Sequence, residues 1–480
     1  MNRQIRFVGL VSALMVFALL ANLTYANLAR EESLEANPYN IRAREAEFDI
    51  HRGQILATNT VIADSVISSS NSIFRYQRVY TDGPLYAHIT GFYSYVFGSS
   101  RVENSYNSYL VGTSASQWLQ RLIDTLSGTS PQGASVVTTI DPDLQQAAWD
   151  ALKGYRGAIV AMEPHTGAIR ALVSAPSYDP SLLASHDLDA AQAAWKELNA
   201  DPSGPMRDRA TREIYPPGST FKLVVAAAAL ERGYTPETMI DTPSRIRLPG
   251  TEIWLGNSGN CGDSQVTLAR ALQLSCNTSF ANLGSSLGAN SLRAQAQRFG
   301  FGAEFLPELG AATSQFPDEV DEAQLMMSSI GQYDVAATPL QMAMVVASFV
   351  NDGQMADPYL VQELRAPDLS VLDRHDPHYR TVVSPSTAQA MREMMIAVVE
   401  NGTGSGARIP GVTVGGKTGT AENDPSSPNY AWFVAFALGD QDTEDLVVAV
   451  FLQRSEDTPQ DLWGAGDAAP VAKKVLEASR

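Results

Sequence analysis

The chain has 480 residues, 44% hydrophobic and 18% charged, with a formal net charge of −18. That length suits two or three domains with well-filled cores and excludes a mainly disordered chain. The acidic balance excludes a nucleic-acid binder, which needs a basic face to displace counterions from phosphates.

Arg3 and Arg6 precede an apolar run that starts at Phe7 and weakens through Asn22, Thr24 and Asn27. Residues 7–28 are just long enough for a transmembrane signal anchor, since about 20 apolar residues span a bilayer as a helix. The two arginines put the short tail, residues 1–6, in the cytoplasm. The same segment also reads as a cleaved signal peptide, with Thr24-Tyr25-Ala26 at the cleavage site. Either way the remaining chain is expected outside the cytoplasm, and the anchor would make it a single-pass protein of the cell membrane. Residues 31–50 are charged and polar (Glu31, Glu32, Glu35, Arg42, Arg44, Glu45), as a stalk would be. From Ile41 to Ser135 short β-like pieces such as Val61–Ser68 alternate with turns such as His51-Arg52-Gly53. Segment 29–154 contains no catalytic cluster and reads as a stalk plus a β-rich spacer or docking module.

A β run at Val136–Thr139 leads through Asp141-Pro142 into an amphipathic helix, Asp143–Leu152. Gly157–Met162 and Ile169–Ser174 are apolar strands joined by hairpin-type turn chemistry. Tyr430–Leu438 and Leu446–Gln453 form a second pair, followed by a helix from Asp467 onward. Between the pairs the periodicity predicts helices over Ser219–Glu231, Leu268–Leu287, Leu325–Ser329, Pro339–Val350 and Ser386–Val399. Strands at both ends and helices in the middle predict one sheet built from both termini of segment 155–480, with helical layers against it. The two cysteines, Cys261 and Cys276, fall in this segment; outside the cytoplasm they can form a disulfide, and two free thiols are the alternative.

Only six of the 34 basic residues are lysine (Lys153, Lys196, Lys222, Lys417, Lys473, Lys474), so motifs that demand lysine are hard to meet by accident. Tyr215-Pro216-Pro217-Gly218 is a rigid turn ending where a nearly all-apolar run, Phe221 to Leu230, begins. Ser219 then opens a buried helix, and Lys222 follows one turn later on the same face. A serine needs a base to become nucleophilic, and an amine forced into an apolar helix is pushed toward its neutral form. By chance alone, on the order of half a Ser-x-x-Lys match is expected here, so this motif is weak by itself. The bland reading is an N-cap serine and a lysine that reaches solvent. Lys417-Thr418-Gly419 is stronger, with a chance expectation on the order of a few hundredths. It ends the strand-like run Val412 to Gly416, and period two puts Thr418 and Thr420 on one face, Lys417 and Gly419 on the other. Two hydroxyls backed by a cation on a strand edge suit an anionic extended substrate. Ser-x-Asn begins at Ser69, Ser105, Ser258, Ser275 and Ser427; only Ser275-Cys276-Asn277 both follows a helical stretch and falls between the other two motifs.

Together these three motifs are those of the penicillin-binding proteins and serine β-lactamases. With Arg52 to Ala57, Thr139 to Gln145, Thr338 to Met342, Gly415 to Glu422 and Ala468 to Pro470, the chain resembles the monofunctional, class B penicillin-binding proteins of the short PbpA type. The resemblance implies an α/β (α+β) transpeptidase domain, an antiparallel sheet flanked by helices, over residues 155–480. It also implies a pedestal or dimerisation-type domain within 29–154. The activity implied is D,D-transpeptidation of peptidoglycan stem peptides, with a D-Ala-D-Ala donor, an amine acceptor and acylation by β-lactams. Carried over residue by residue, Ser219 is the nucleophile and Lys222 its base, and Ser275 and Lys417 relay the proton. Asn277 holds the donor amide, and Thr418, Gly419 and Thr420 form the strand that receives its carboxylate. No cofactor or metal is implied, and a separate membrane glycan polymerase within a cell-wall synthesis complex is the expected partner. Two departures stand out: Ile330-Gly331-Gln332-Tyr333 replaces the usual Ile-Gly-Gln-Gly, and Cys276 occupies a position where a small residue is usual.

A β-lactamase would need a dedicated deacylating Glu, and no Glu-x-x-Leu-Asn motif is present. A D,D-carboxypeptidase and a non-catalytic β-lactam sensor or scaffold are the remaining alternatives. His375-Asp376-Pro377-His378 has ligand-type residues at close spacing, but its proline and flanking charges read as an exposed loop rather than a metal site.

Overall fold

The structure is a computed structural model that describes residues 2–29, 41–70, 72–118, 126–127, 132–262, 264–421, 429–455 and 461–480. Residues 31–40 of the expected stalk, with Glu31, Glu32 and Glu35, lie outside the described residues, as do Glu422 and Ser427. A helix, Asn2–Ala29, runs through the expected anchor. Among the described residues, however, no helix is long and apolar enough to cross a membrane.

Segment 155–480 is organised by five antiparallel strands: β1 (Arg156–Met162), β2 (Ile169–Ala175), β3 (Val414–Ala421), β4 (Tyr430–Ala437) and β5 (Leu446–Gln453). Their spatial order is β3-β4-β5-β1-β2, so the last strand of the chain pairs with the first of the segment, Val447 opposite Met162 and Gln453 opposite Arg156. The expected sheet from both termini is present. Apart from the edge strand β3, its strands read as mainly apolar runs because both faces are covered. On one face Trp432, Val434, Phe436 and Phe451 pack into a core with the helices α1 (Lys222–Leu230), α4 (Pro339–Val350) and α5 (Pro385–Asn401). On the other, Phe433, Ala435, Val448 and Val450 meet the Pro142–Ala151 helix and the C-terminal helix Ala469–Ala478. Each large apolar side chain fully buried this way stabilises by roughly 1.5–3 kcal/mol.

Three helix expectations change. The run expected as one helix, Leu268–Leu287, is two: α2 (Leu268–Leu274) and α3 (Asn277–Leu287), separated because Ser275 takes a left-handed conformation at φ 60°. Apolar periodicity is blind to such a break, since it keeps the same buried face. The Ser219 helix starts as a tight 3₁₀ turn, Gly218–Phe221, before α1 begins at Lys222. Leu188–Ala200 and Ala289–Arg298 are further helices whose polar faces hid them from the apolar count.

The N-terminal module is a six-stranded sheet, ordered Val371–Arg374, Val361–Arg365, Ser135–Thr138, Ile55–Ala57, Thr60–Ile67, Tyr76–Tyr80. Two of its strands come from inside segment 155–480, so the boundary between residues 154 and 155 divides the chain but not this sheet. Beneath it, Glu103 is fully buried and paired with both Arg52 and Arg78 at 2.6 Å, with Tyr80 also donating to it at 3.2 Å. Arg52, read above as part of a turn, is therefore a buried ion, and it also lies 4.0 Å over the Tyr93 ring. Burial alone pushes the Glu103 carboxyl up, but the charges of Arg78 and Arg52 outweigh it and hold it below its ordinary value. A second buried pair, Arg101–Asp208 at 3.1 Å, ties this module to the segment leading to Ser219.

Glu103→Ala leaves two arginines buried without their carboxylate and is expected to lower the unfolding free energy by about 3–5 kcal/mol, measured by urea denaturation. A loss below about 1 kcal/mol would mean that water reaches these arginines. Because the folded carboxyl is depressed, the stability it confers is present above its unfolded pKa and lost as pH falls through the folded one.

Candidate active site

The turn before Ser219 is held on three sides. Tyr215 exchanges backbone hydrogen bonds with Ala337 at 3.0 and 2.9 Å, and the Gly218 N–H donates to the Gly331 carbonyl at 2.9 Å. The Trp432 indole, on β4, donates to the Pro216 carbonyl at 3.0 Å. Gly218 sits at φ 53°, and a Cβ there would lie 2.6 Å from the Thr420 carbonyl oxygen; a Cβ on Gly419 would lie 2.9 Å from that of Pro217. These two glycines let the edge strand β3 lie directly against the Ser219 turn. Ser219 is half-buried between them, and Lys222 is fully buried.

Lys222 Nζ donates to the Ser275 carbonyl at 2.8 Å, to Asn277 Oδ1 at 2.7 Å and to Ser275 Oγ at 3.3 Å. Lys417, also fully buried, reaches the same Ser275 Oγ at 2.8 Å from the opposite side and donates to the Thr418 carbonyl at 2.8 Å. Neither amine has a carboxylate partner among the described residues. Burial depresses both, Lys222 well below the ordinary lysine value with the Lys417 charge adding to the effect, and Lys417 to about 7. Two ammonium groups sharing one oxygen repel each other, so the favoured state keeps at least one of them neutral. Ser275 can then accept from the charged amine and donate to the neutral one.

The left-handed Ser275 produces this arrangement. It caps α2, its neighbour Cys276 starts the approach to α3, and Asn277 is the first residue of that helix. Had the two helices been continuous, Ser275 and Asn277 would point about 200° apart around one axis rather than both toward Lys222. Cys276 is disulfide-bonded to Cys261. The Asn277 carboxamide has one lone pair committed to Lys222 and one N–H to the Gly256 carbonyl at 3.1 Å, which leaves one acceptor site and one donor for a ligand.

On β3 the expected pair of open hydroxyls is only half realised. Thr418 is 7% exposed, and its Oγ1 lies 2.8 Å from that of Thr403; Thr420 is half-buried at the cleft. Thr403 was not singled out above. Its one sequence signal is the glycine-rich stretch Gly402-Thr403-Gly404 that ends α5, where the chain turns back toward β3. Tyr333, at the departure from Ile-Gly-Gln-Gly, takes φ 62°, so it keeps the backbone a glycine would adopt, at a steric cost of roughly 1–2 kcal/mol.

Other candidates stand apart. Ser258-Gly259-Asn260 lies in a loop, where Asn260 accepts from the Gly262 N–H. His375 stacks on Tyr359 with ring centroids 3.7 Å apart, and no group of three metal-ligating side chains occurs among the described residues. Glu163 closes its own turn by accepting from the His165 and Thr166 N–H groups.

Residues 157–477 match the family model of the penicillin binding protein transpeptidase domain, and residues 52–136 that of the penicillin binding protein A dimerisation domain. The chain is 42% identical to the peptidoglycan D,D-transpeptidase PbpA of Mycolicibacterium smegmatis and 40% identical to that of Mycobacterium tuberculosis, over 100% of this chain and 99% of each relative. It superposes with a TM-score of 0.85 on the ceftriaxone acyl-enzyme complex of M. tuberculosis penicillin-binding protein A, at 39% identity, covering 91% of this chain and 99% of that one.

The buried Lys417 makes stability depend on pH in a defined sense. Its folded pKa is about 7, against 10.5 ordinarily, so between those values the unfolded chain binds more protons and stability rises with pH. Lys417→Met should remove that contribution. Denaturation midpoints for both proteins across this window test it, and an unchanged pH slope in the variant would count against a neutral Lys417.

Proposed function

The chain belongs to the penicillin-binding proteins and is a peptidoglycan D,D-transpeptidase, and from that membership we propose how its residues divide the reaction. The enzyme crosslinks stem peptides through a serine acyl-enzyme formed on D-Ala-D-Ala, and β-lactams acylate it in place of that donor. The Ser219 hydroxyl attacks the penultimate D-Ala carbonyl, and neutral Lys222 takes its proton. The tetrahedral oxyanion is held by the backbone N–H groups of Ser219 and Thr420, at the close approach that Gly218 and Gly419 allow. The proton passes through Ser275, with Lys417 on its far side, to the departing D-Ala amine. Asn277 uses its remaining donor and acceptor on the donor amide. Thr420 and Thr418 receive the terminal carboxylate, with Lys417 close behind them. An acceptor amine then attacks the ester carbonyl, the same relay runs in reverse, and Ser219 is released.

The observation that carries this assignment is the convergence of two buried amines on Ser275 Oγ, at 2.8 and 3.3 Å. Lys222 is engaged with Asn277 and Ser275, and no hydrogen bond joins it to Ser219 Oγ among the described residues. Donor binding at Asn277 would draw that carboxamide into the new contacts and free the Lys222 amine to turn toward Ser219; catalytic hydrogen bonds commonly tighten only in the substrate complex.

We further place residues 7–28 as a single-pass anchor, with 29–154 as stalk and pedestal and the transpeptidase domain of 155–480 outside the cytoplasm. Support comes from the apolar run, the arginines before it and the extracytoplasmic location of peptidoglycan. A membrane glycan polymerase fits as partner, since the chain has no segment left over for glycan synthesis between anchor and transpeptidase domain.

Labelling with a fluorescent penicillin tests the assignment. Ser219→Ala should show no covalent label, and Lys222→Ala should be acylated slower by about 10²–10⁴-fold, the usual worth of a positioned base. Labelling of Ser219→Ala equal to the parent protein would rule out Ser219 as the acylated residue.

A further inference from the structure

Beside the site stands a two-stranded hairpin, Arg245–Arg247 paired with Trp254–Gly256 in the register Arg245↔Gly256, Ile246↔Leu255, Arg247↔Trp254. Its inner residues, Ile246 and Leu255, pack against the core. Period two therefore turns Arg245, Arg247 and Trp254 together to the outer face. Trp254 is 54% exposed, and the Arg245 guanidinium lies 4.6 Å over its ring. Arg247 is paired with Glu252 near the hairpin tip, but Arg245 has no ion-pair partner among the described residues. A protein with a net charge of −18 thus presents here a guanidinium that has no ion-pair partner among the described residues, mounted on an exposed indole.

The position of this plate gives it meaning. Both feet of the hairpin are tied to the start of α3. The Gly256 carbonyl accepts from Asn277 Nδ2, the Asn257 carboxamide accepts from the Thr278 N–H at 3.0 Å, and the Pro243 carbonyl accepts from Thr278 Oγ1 at 2.8 Å. Trp254 lies two residues from Gly256, about 7 Å along the strand. An extended peptide advances at the same rate per residue, so a strand that runs from Asn277 along this hairpin would reach Trp254 within about two residues. We propose that the outer face of this hairpin is a subsite for a carboxylate-bearing stretch of the peptidoglycan strand, with Arg245 forking the carboxylate and Trp254 supplying a stacking surface. The proposal rests on the transpeptidase reading of the site and names a second contact of the same substrate. Charge selects the occupant: the guanidinium offers its N–H edge to an anion, while its flat face is already engaged by the indole.

The test separates binding from chemistry. Soluble, uncrosslinked peptidoglycan strands are titrated against the Ser219→Ala protein, alone and combined with Arg245→Ala or Trp254→Ala, and fluorescent-penicillin acylation is timed in the same hairpin variants with Ser219 intact. Strand affinity should fall about fivefold with either change, while penicillin acylation stays within about twofold of the parent. Strands whose carboxylates have been converted to amides should bind the Ser219→Ala protein equally well with and without Arg245→Ala. Unchanged strand affinity, or strand affinity and acylation falling in parallel, overturns the proposal; the second result would reduce the hairpin to a support for Asn277. A parent protein that penicillin does not label would overturn the role of Ser219 instead, and the strand titration does not depend on that outcome.

Discussion

Two amines, buried without a counter-ion among the described residues and facing each other across one serine oxygen, are the constraint around which this protein is arranged. Three other buried cations have carboxylate partners, while Arg209 is satisfied by Gln453 Oε1 and backbone carbonyls. Arg52 and Arg78 share Glu103, and Arg101 meets Asp208. Such pairs hold a chain in register, because removing one partner strands the other charge in a poor solvent. Lys222 and Lys417 lack that compensation among the described residues. Their desolvation is a standing cost, and what it yields is an amine able to accept a proton near neutral pH.

That cost must be offset by packing, and the location of the two lysines shows how. Lys222 belongs to a helix whose residues Leu223 to Ala229 are buried. Lys417 belongs to a strand joined along its length to β4, itself covered on both faces. Neither element can turn its lysine to solvent without exposing a large apolar area. The left-handed Ser275 is held in a related way, by two lysines, by backbone bonds from its own and the next N–H into α2, and by the Cys261–Cys276 bridge one residue on. A strained residue persists where its surroundings over-determine it.

Much of this was legible beforehand, and for particular reasons. Lysine is rare in this chain, so Lys222 and Lys417 stood out against a low background. The strand pairs at either end of segment 155–480 were readable because strands buried on both faces leave unbroken apolar runs. The break between α2 and α3 was not readable, since apolar spacing continues across Ser275. Thr403 was not readable either: a threonine amid glycines has no local signature of meeting another threonine across the cleft. Arg52 looked like a turn residue because its partner Glu103 is 51 positions away.

Sequence alone determined the chemistry that is available: a serine one helical turn before a lysine in an apolar run, a second lysine at the head of a threonine-bearing strand, and a family resemblance that joined them. Those facts are local, written in spacings of a few residues, where propensity and periodicity operate. Only the tertiary structure decided that Lys222 and Lys417 meet at Ser275, that Thr418 is shared with Thr403, and that the six-stranded sheet borrows a hairpin from the catalytic segment. These contacts join residues from 15 to more than 200 positions apart. Their geometry comes from how whole layers pack on the central sheet, and no short stretch of sequence holds that information.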